Sequence, residues 1–116
     1  MLKKQNTQVK IDKNLTKNIR VAVIRTDYYK KLNDNLEKHC RKTLIAHGVD
    51  KANIKTFVVL GSWEIPLMAQ EAAKSKKFDA IVAFGVILKG EKYHFDMIAN
   101  ECAHALMELS LDYSIP

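Results

Sequence analysis

The sequence is sparing with the features that would commit it to a special class. Its two cysteines, Cys40 and Cys102, both fall within helical apolar patterns. Free, buried thiols of a reducing cytoplasm are therefore expected rather than a disulfide framework. No apolar run is long: the longest, Ala80 to Leu88, falls well short of the roughly 20 residues a membrane helix needs. The first residues, MLKKQNTQVK, hold no apolar stretch of the secretory kind, so no export signal is expected. Neither an internal repeat nor a low-complexity segment is visible. His39, His47 and His104 show no metal-ligand spacing and are assigned no role.

What is present suits a small globular protein. The 47% hydrophobic content excludes general disorder, and 116 residues suffice for one domain of roughly 100–150 residues. The net charge of +6 raises the question of nucleic acid, and its distribution answers it. Residues 1–20 carry six basic groups (Lys3, Lys4, Lys10, Lys13, Lys17 and Arg20) against the single acid Asp12. The rest is nearly balanced. A basic arm over residues 1–18 on a neutral body, 19–116, is more often solvated or used in assembly than bound to RNA. No RNA-recognition or helix-turn-helix signature accompanies it.

Beyond the arm, two periodicities alternate. Ile19 to Ile24 reads as a short buried strand. Leu32, Leu36, Cys40 and Leu44 recur every four residues and predict a helix over 30–47, with its apolar stripe on those residues and a stop at Gly48. Ile54 to Leu60 reads as a second strand. Gly61-Ser62 turns into a helix reaching about Lys74, where Pro66 is tolerated in the first turn. Ala80 to Leu88 predicts a third strand, apolar enough to be the central one covered on both faces. A loop with Gly90 leads to a helix from His94 to Leu111 whose stripe is Phe95, Ile98, Ala99, Cys102, Leu106 and Leu109. This alternation predicts a parallel sheet in an α/β sandwich. Three strands make a narrow sheet, and with Pro116 at a helix end its completion by further chain or by a partner is expected.

Ligands of open parallel sheets bind beyond the carboxyl ends of the strands. Residues 25–28, 61–64 and 86–94 occupy those ends. Tyr28 and Trp63 can stack on a flat heterocycle, or simply pack at the sheet edge. Glu64, at a helix start, suits the helix dipole as well as a ligand. His94 opens a helix beside Lys89 and Lys92, where free N–H groups and cations form an anion site and an imidazole can move protons. It can equally be a capping residue. Two other motifs fail. The glycine spacing of Gly85 and Gly90 resembles a phosphate loop, but Glu91 stands where Lys and Ser/Thr are required. A receiver-type signalling site needs an acidic pair after the first strand and an Asp after a later one, and only Asp27 is present.

Residues Gly61-Ser62-Trp63-Glu64-Ile65-Pro66 resemble the PG-[small]-[aromatic]-EIP turn of the lumazine synthases. Gly85 to Asp96 is similar to their G-x-V-I-[RK]-G-E-[ST]-x-H-[FY]-[DE] loop. Asn100-Glu101 and His47-Gly48-Val49 fit as well, and the likeness runs from about Ile19 to Pro116. The resemblance implies a three-layer, flavodoxin-like α/β sandwich with helices on both faces of a parallel sheet. It implies condensation of 5-amino-6-(D-ribitylamino)uracil with 3,4-dihydroxy-2-butanone 4-phosphate, without metal or organic cofactor, in a cytoplasmic homo-oligomer, a pentamer or larger shell. By motif position, Tyr28 stacks on the pyrimidine, while Ser62, Trp63 and Glu64 hold the uracil and ribityl hydroxyls. The backbone of Val86, Ile87 and Leu88 reads the pyrimidine edge. Glu91 and Lys92 lie in the phosphate-side loop, and His94 transfers protons. Lys92 stands where the family usually has a small hydroxyl residue, and Asp27 where Arg is common. The family's last strand, phosphate-binding Arg and second aromatic wall are not assigned. The rival expectations are an inactive homologue that binds a pterin or flavin or forms a shell, and a signalling or RNA-associated module using the basic arm.

Overall fold

A run of β-branched residues forms the strand β1 (Val21–Thr26), and all six of its residues are buried. The computed structural model that shows this describes residues 10–90 and 94–116. Strand β1 pairs in parallel with β2 (Ile54–Val59) on one side and with β3 (Ala80–Phe84) on the other, in the order β2-β1-β3. Val21 lies opposite Ile54 and Ala80, and this register carries through the sheet. Parallel neighbours require crossovers, which the helices α2 (Lys30–Ala46) and α3 (Ile65–Ser75) supply, and α4 (His94–Tyr113) follows β3. Alternation along β1 then sorts the core into two layers. Val21 and Val23 join Val49, Ile54, Cys40 and Leu44 beneath α2. Ile24 packs with Ile65, Ala69, Ala73 and Leu109 on the side of α3 and α4. This is the expected flavodoxin-like three-layer α/β sandwich.

Two expectations are corrected. The central strand is β1, and the Ala80–Leu88 run supplies an edge strand whose residues are half-buried. Apolar composition reports how much a strand can bury, not its place in the order. The strand also ends at Phe84, so Val86 to Leu88 leave the sheet and their backbone is outside the strand pairing.

The second correction concerns α2. Leu32 and Leu36 are 51% and 42% exposed, and the side turned inward carries Asn33, Glu37, Cys40, Arg41 and Leu44. The cause lies on β1. Arg25 projects under α2, 5% exposed, and a buried guanidinium needs anionic partners. Its Nη1 donates to Asp34 at 2.6 Å and to Glu37 at 3.1 Å, and Nη2 reaches the Asp27 carboxylate at 3.4 Å. Glu37 also accepts from Arg41 Nε at 2.9 Å and from the Thr56 hydroxyl at 2.8 Å. The helix is thus rotated to bring carboxylates over the sheet, and the leucines are carried outward.

Burial pushes the Glu37 carboxyl up, but hydrogen bonds from Thr56, Arg41 and Arg25 outweigh it and hold it below its ordinary value. A carboxyl depressed in the folded state stabilises fully above its unfolded value and loses that contribution as pH falls through the folded one. Melting temperature should therefore fall on acidification below about pH 5, and the decline should be shallower in Glu37→Gln. Calorimetry across that range checks this, and parallel curves would refute it.

Gly48 ends α2 at φ 101°, with Gly48 N–H donating to Ile45 O and Val49 N–H to Leu44 O, both at 3.0 Å. Only glycine takes that conformation without steric cost. The described part of the basic segment forms one helical turn, α1 (Lys13–Thr16), capped by Asp12. Thr16 Oγ1 donates to the His47 carbonyl at 2.6 Å, which docks this turn on the end of α2.

Candidate functional site

The carboxyl ends of the strands open into a cleft of about 350 Å³, and most of the singled-out residues meet there. After β1 the chain turns through Tyr28 and Tyr29. After β2, Gly61 leads into the 3-10 turn Ser62–Glu64, which runs directly into α3 with Pro66 in its first turn. After β3, Val86, Ile87 and Leu88 form the third wall. His94 and Ile98, one turn apart on α4, close the fourth. Tyr28 and Trp63 are 65% and 54% exposed, so their rings are available to a ligand rather than consumed by packing.

Glu64 stands outside this cleft. It borders an adjoining hollow with Asp27, Val58, Val59 and Leu60. Gly61 separates the two spaces: a Cβ built there would sit 3.1 Å from Glu64 Oε2 and 3.7 Å from the Tyr28 ring. Glu91 and Lys92 lie outside the described residues. Lys89 is exposed at the end of the Val86–Leu88 stretch. Sequence reasoning missed Tyr29 and Ile98 as lining residues. The available signals were adjacency to Tyr28 and the i, i+4 spacing from His94.

Two contacts brace the Ser62 turn. The Cys102 thiol of α4 donates to the Ser62 carbonyl at 3.0 Å. Burial pushes that thiol up, and Glu64 and Glu101 act in the same direction. Cys102 is therefore a structural thiol rather than a reactive one. Burial likewise pushes the Cys40 thiol up.

From the sheet side, Gly85 passes so close that a Cβ there would lie 2.7 Å from Ser62 Oγ and 3.3 Å from Ile65 Cδ1. Gly85→Ala should displace the Ser62 hydroxyl and cost about 1–2 kcal/mol of stability. Most of that loss should vanish in a Ser62→Ala background, where the nearer clash is gone. Denaturant titration of the four proteins measures the coupling, and strictly additive losses would contradict it.

Chemically, the cleft offers two exposed aromatic faces, a stretch of backbone free of strand pairing, a short hydroxyl and an imidazole at the start of a 20-residue helix. That set suits a flat, hydrogen-bonding heterocycle, with a proton-transfer group beside it. Among the described residues, no helix is long and apolar enough to cross a membrane.

Comparison with known proteins gives a consistent result. The sequence model of the 6,7-dimethyl-8-ribityllumazine synthase family matches residues 18–116. A protein of that name from Polaromonas sp. is 38% identical over 96 residues, which cover 83% of this chain and 62% of the relative. One from Neisseria gonorrhoeae is 37% identical over 100 residues, covering 86% and 63%. One from Ruthia magnifica subsp. Calyptogena magnifica is 37% identical over 108 residues, covering 89% and 65%. The chain thus spans a little under two thirds of the length of these curated relatives.

Proposed function

Because the chain belongs to the 6,7-dimethyl-8-ribityllumazine synthase family, we propose that its cleft joins 5-amino-6-(D-ribitylamino)uracil to 3,4-dihydroxy-2-butanone 4-phosphate, releasing phosphate and water and leaving the lumazine. The observation that carries this proposal is the convergence of Tyr28, Trp63, Val86–Leu88 and His94 on one cleft at the carboxyl edge of the sheet.

The geometry suits each step. The pyrimidine lies against Tyr28, with its polar edge on the backbone of Val86, Ile87 and Leu88. Ser62 and Trp63 fix the ring and the start of the ribityl chain. The chain crosses Gly61, whose missing side chain keeps the way open, and its hydroxyls reach Glu64. The uracil amine attacks the ketone, the carbinolamine loses water to give an imine, and phosphate leaves. The second nitrogen then closes the ring with loss of another water. Every step moves a proton and none requires a strong nucleophile from the protein, so holding two substrates in register supplies most of the rate. His94 accepts and returns the protons. Glu91 and Lys92 belong to the phosphate-side loop, where the cations Lys92 and Lys89 and the N-terminus of α4 hold the phosphate.

We assign the active form to a cytoplasmic homo-oligomer, a pentamer or larger shell. Support comes from the large apolar side chains left exposed, among them Leu32, Leu36, Val58 and Leu60, which are the kind of surface subunit contacts cover. Residues 19–116 are assigned to one domain, with the basic residues before it as an assembly arm.

Mixing the two substrates with the chain and following lumazine absorbance tests the activity. Turnover above the uncatalysed condensation supports it. Tight lumazine binding without turnover would instead favour the inactive, ligand-binding homologue. Light scattering of the same sample tests the oligomer, and a monomer with full turnover would refute that assignment.

A further inference from the structure

One fully buried polar side chain at the edge of the cleft has no part in the chemistry above. Asn33, in the first turn of α2, is 0% exposed. Its Nδ2 donates to the Tyr28 carbonyl at 2.6 Å and to Thr26 Oγ1 at 3.3 Å. Its Oδ1 has no hydrogen-bond partner among the described residues. A buried, unpaired acceptor is costly, and an apolar side chain of the same shape would avoid that cost. An asparagine here therefore weakens the core on one side while gripping the turn on the other.

The gripped turn is strained. Tyr29 adopts φ 49°, ψ 57°, a left-handed conformation that is unfavourable for a bulky residue and persists where the surroundings impose it. No side chain caps α2 at Tyr29. The local restraints are the Leu32 and Asn33 backbone N–H groups donating to the Tyr29 carbonyl, and the Asn33 amide on the Tyr28 carbonyl one residue earlier. The second of these sets the direction in which Tyr28 and Tyr29 enter the cleft.

We propose that Asn33 is a positioning residue that clamps the Tyr28–Tyr29 turn and so aims the aromatic wall of the cleft. Its effect on ligand binding rests on the proposed function, in which that wall receives the pyrimidine; its effect on the turn does not.

Asn33→Leu in the 116-residue chain separates the two. Leucine removes the orphaned acceptor together with the clamp, so thermal stability should be unchanged or raised. NMR relaxation should show residues 27–29 gaining mobility. Affinity for 6,7-dimethyl-8-ribityllumazine, read by quenching of the single tryptophan Trp63, should weaken about fivefold, the weight of one stacking contact. In a Tyr28→Ala background, Asn33→Leu should change that affinity no further. Unaltered mobility at 27–29 overturns the clamp, as does an equal affinity loss in both backgrounds. Absence of lumazine binding by the unsubstituted chain would refute the functional reading, while the relaxation measurement still decides the clamp. Should Asn33→Leu fail to fold, hydrogen exchange of the Asn33 side-chain amide in the unsubstituted chain decides it. Protection comparable to core amides supports the clamp, and rapid exchange overturns it.

Discussion

Arg25→Met should be the most destabilising single change in the polar layer under α2, lowering stability by about 3 kcal/mol. The Arg25 side chain is 6% exposed, and its guanidinium faces Asp34 and Glu37 at 2.6 and 3.1 Å. Burial opposes its charge, but hydrogen bonds to Asp34 and Glu37 outweigh that and keep it protonated. Removing the cation takes the shared partner from Asp27, Asp34 and Glu37. Arg41 still reaches Glu37 at 2.9 Å and Lys30 reaches Asp34 at 2.8 Å, which keeps the loss from being larger. Arg25→Lys should fall between, since one ammonium cannot span positions that a planar fork bridges. Adding Glu37→Gln to Arg25→Met should recover part of the loss, because the unpaired charge is then gone. Urea denaturation followed by circular dichroism measures all four proteins. An unshifted midpoint in Arg25→Met would show that the network is ornamental to stability.

His94→Ala should reduce turnover by roughly 10²-fold while substrate affinity changes little, provided the proposed condensation is the activity. In the proposed reaction the imidazole moves protons, while binding comes mainly from the aromatic wall and the backbone of 86–88. The residual rate survives because positioning of two reactive substrates remains. His94→Gln, which keeps a hydrogen-bonding group but cannot shuttle a proton at neutral pH, should fare no better than alanine. Steady-state kinetics on the three proteins separates kcat from KM. Full activity in His94→Ala would remove the histidine from the mechanism, and a loss confined to KM would make it a binding group instead.

The convergence of most of the candidate residues on one cleft was legible in the sequence for a topological reason. In a parallel sheet, whatever follows each strand lies at one edge, so residues 28, 61–63, 86–88 and 94 meet regardless of their chemistry. The Gly61–Pro66 and Gly85–Asp96 motifs then pointed to one reaction among many. Where the pattern stopped helping was in side-chain direction. Glu64 sits one residue beyond Trp63 yet faces a separate hollow, because the 3-10 turn rotates each successive residue by about a third of a circle. Tyr29 enters the cleft through a left-handed backbone that periodicity cannot foresee.

The sequence by itself determined the order of strands and helices, the glycine that ends α2, the proline that opens α3 and the stripe on α4 from Phe95 to Leu109. These are local matters, decided by turn chemistry and by periods of two and about 3.6 residues. Tertiary structure alone decided which strand is central and which face of α2 points inward. The Leu32–Leu36 stripe is as regular as any in the chain, and taken by itself it marks the face a helix would turn to the core. It is overruled because Arg25 arrives beneath α2 from a distant strand and cannot be buried without Asp34 and Glu37. A periodicity records where apolar side chains lie on one helix; which side faces the sheet depends on what the sheet presents to it.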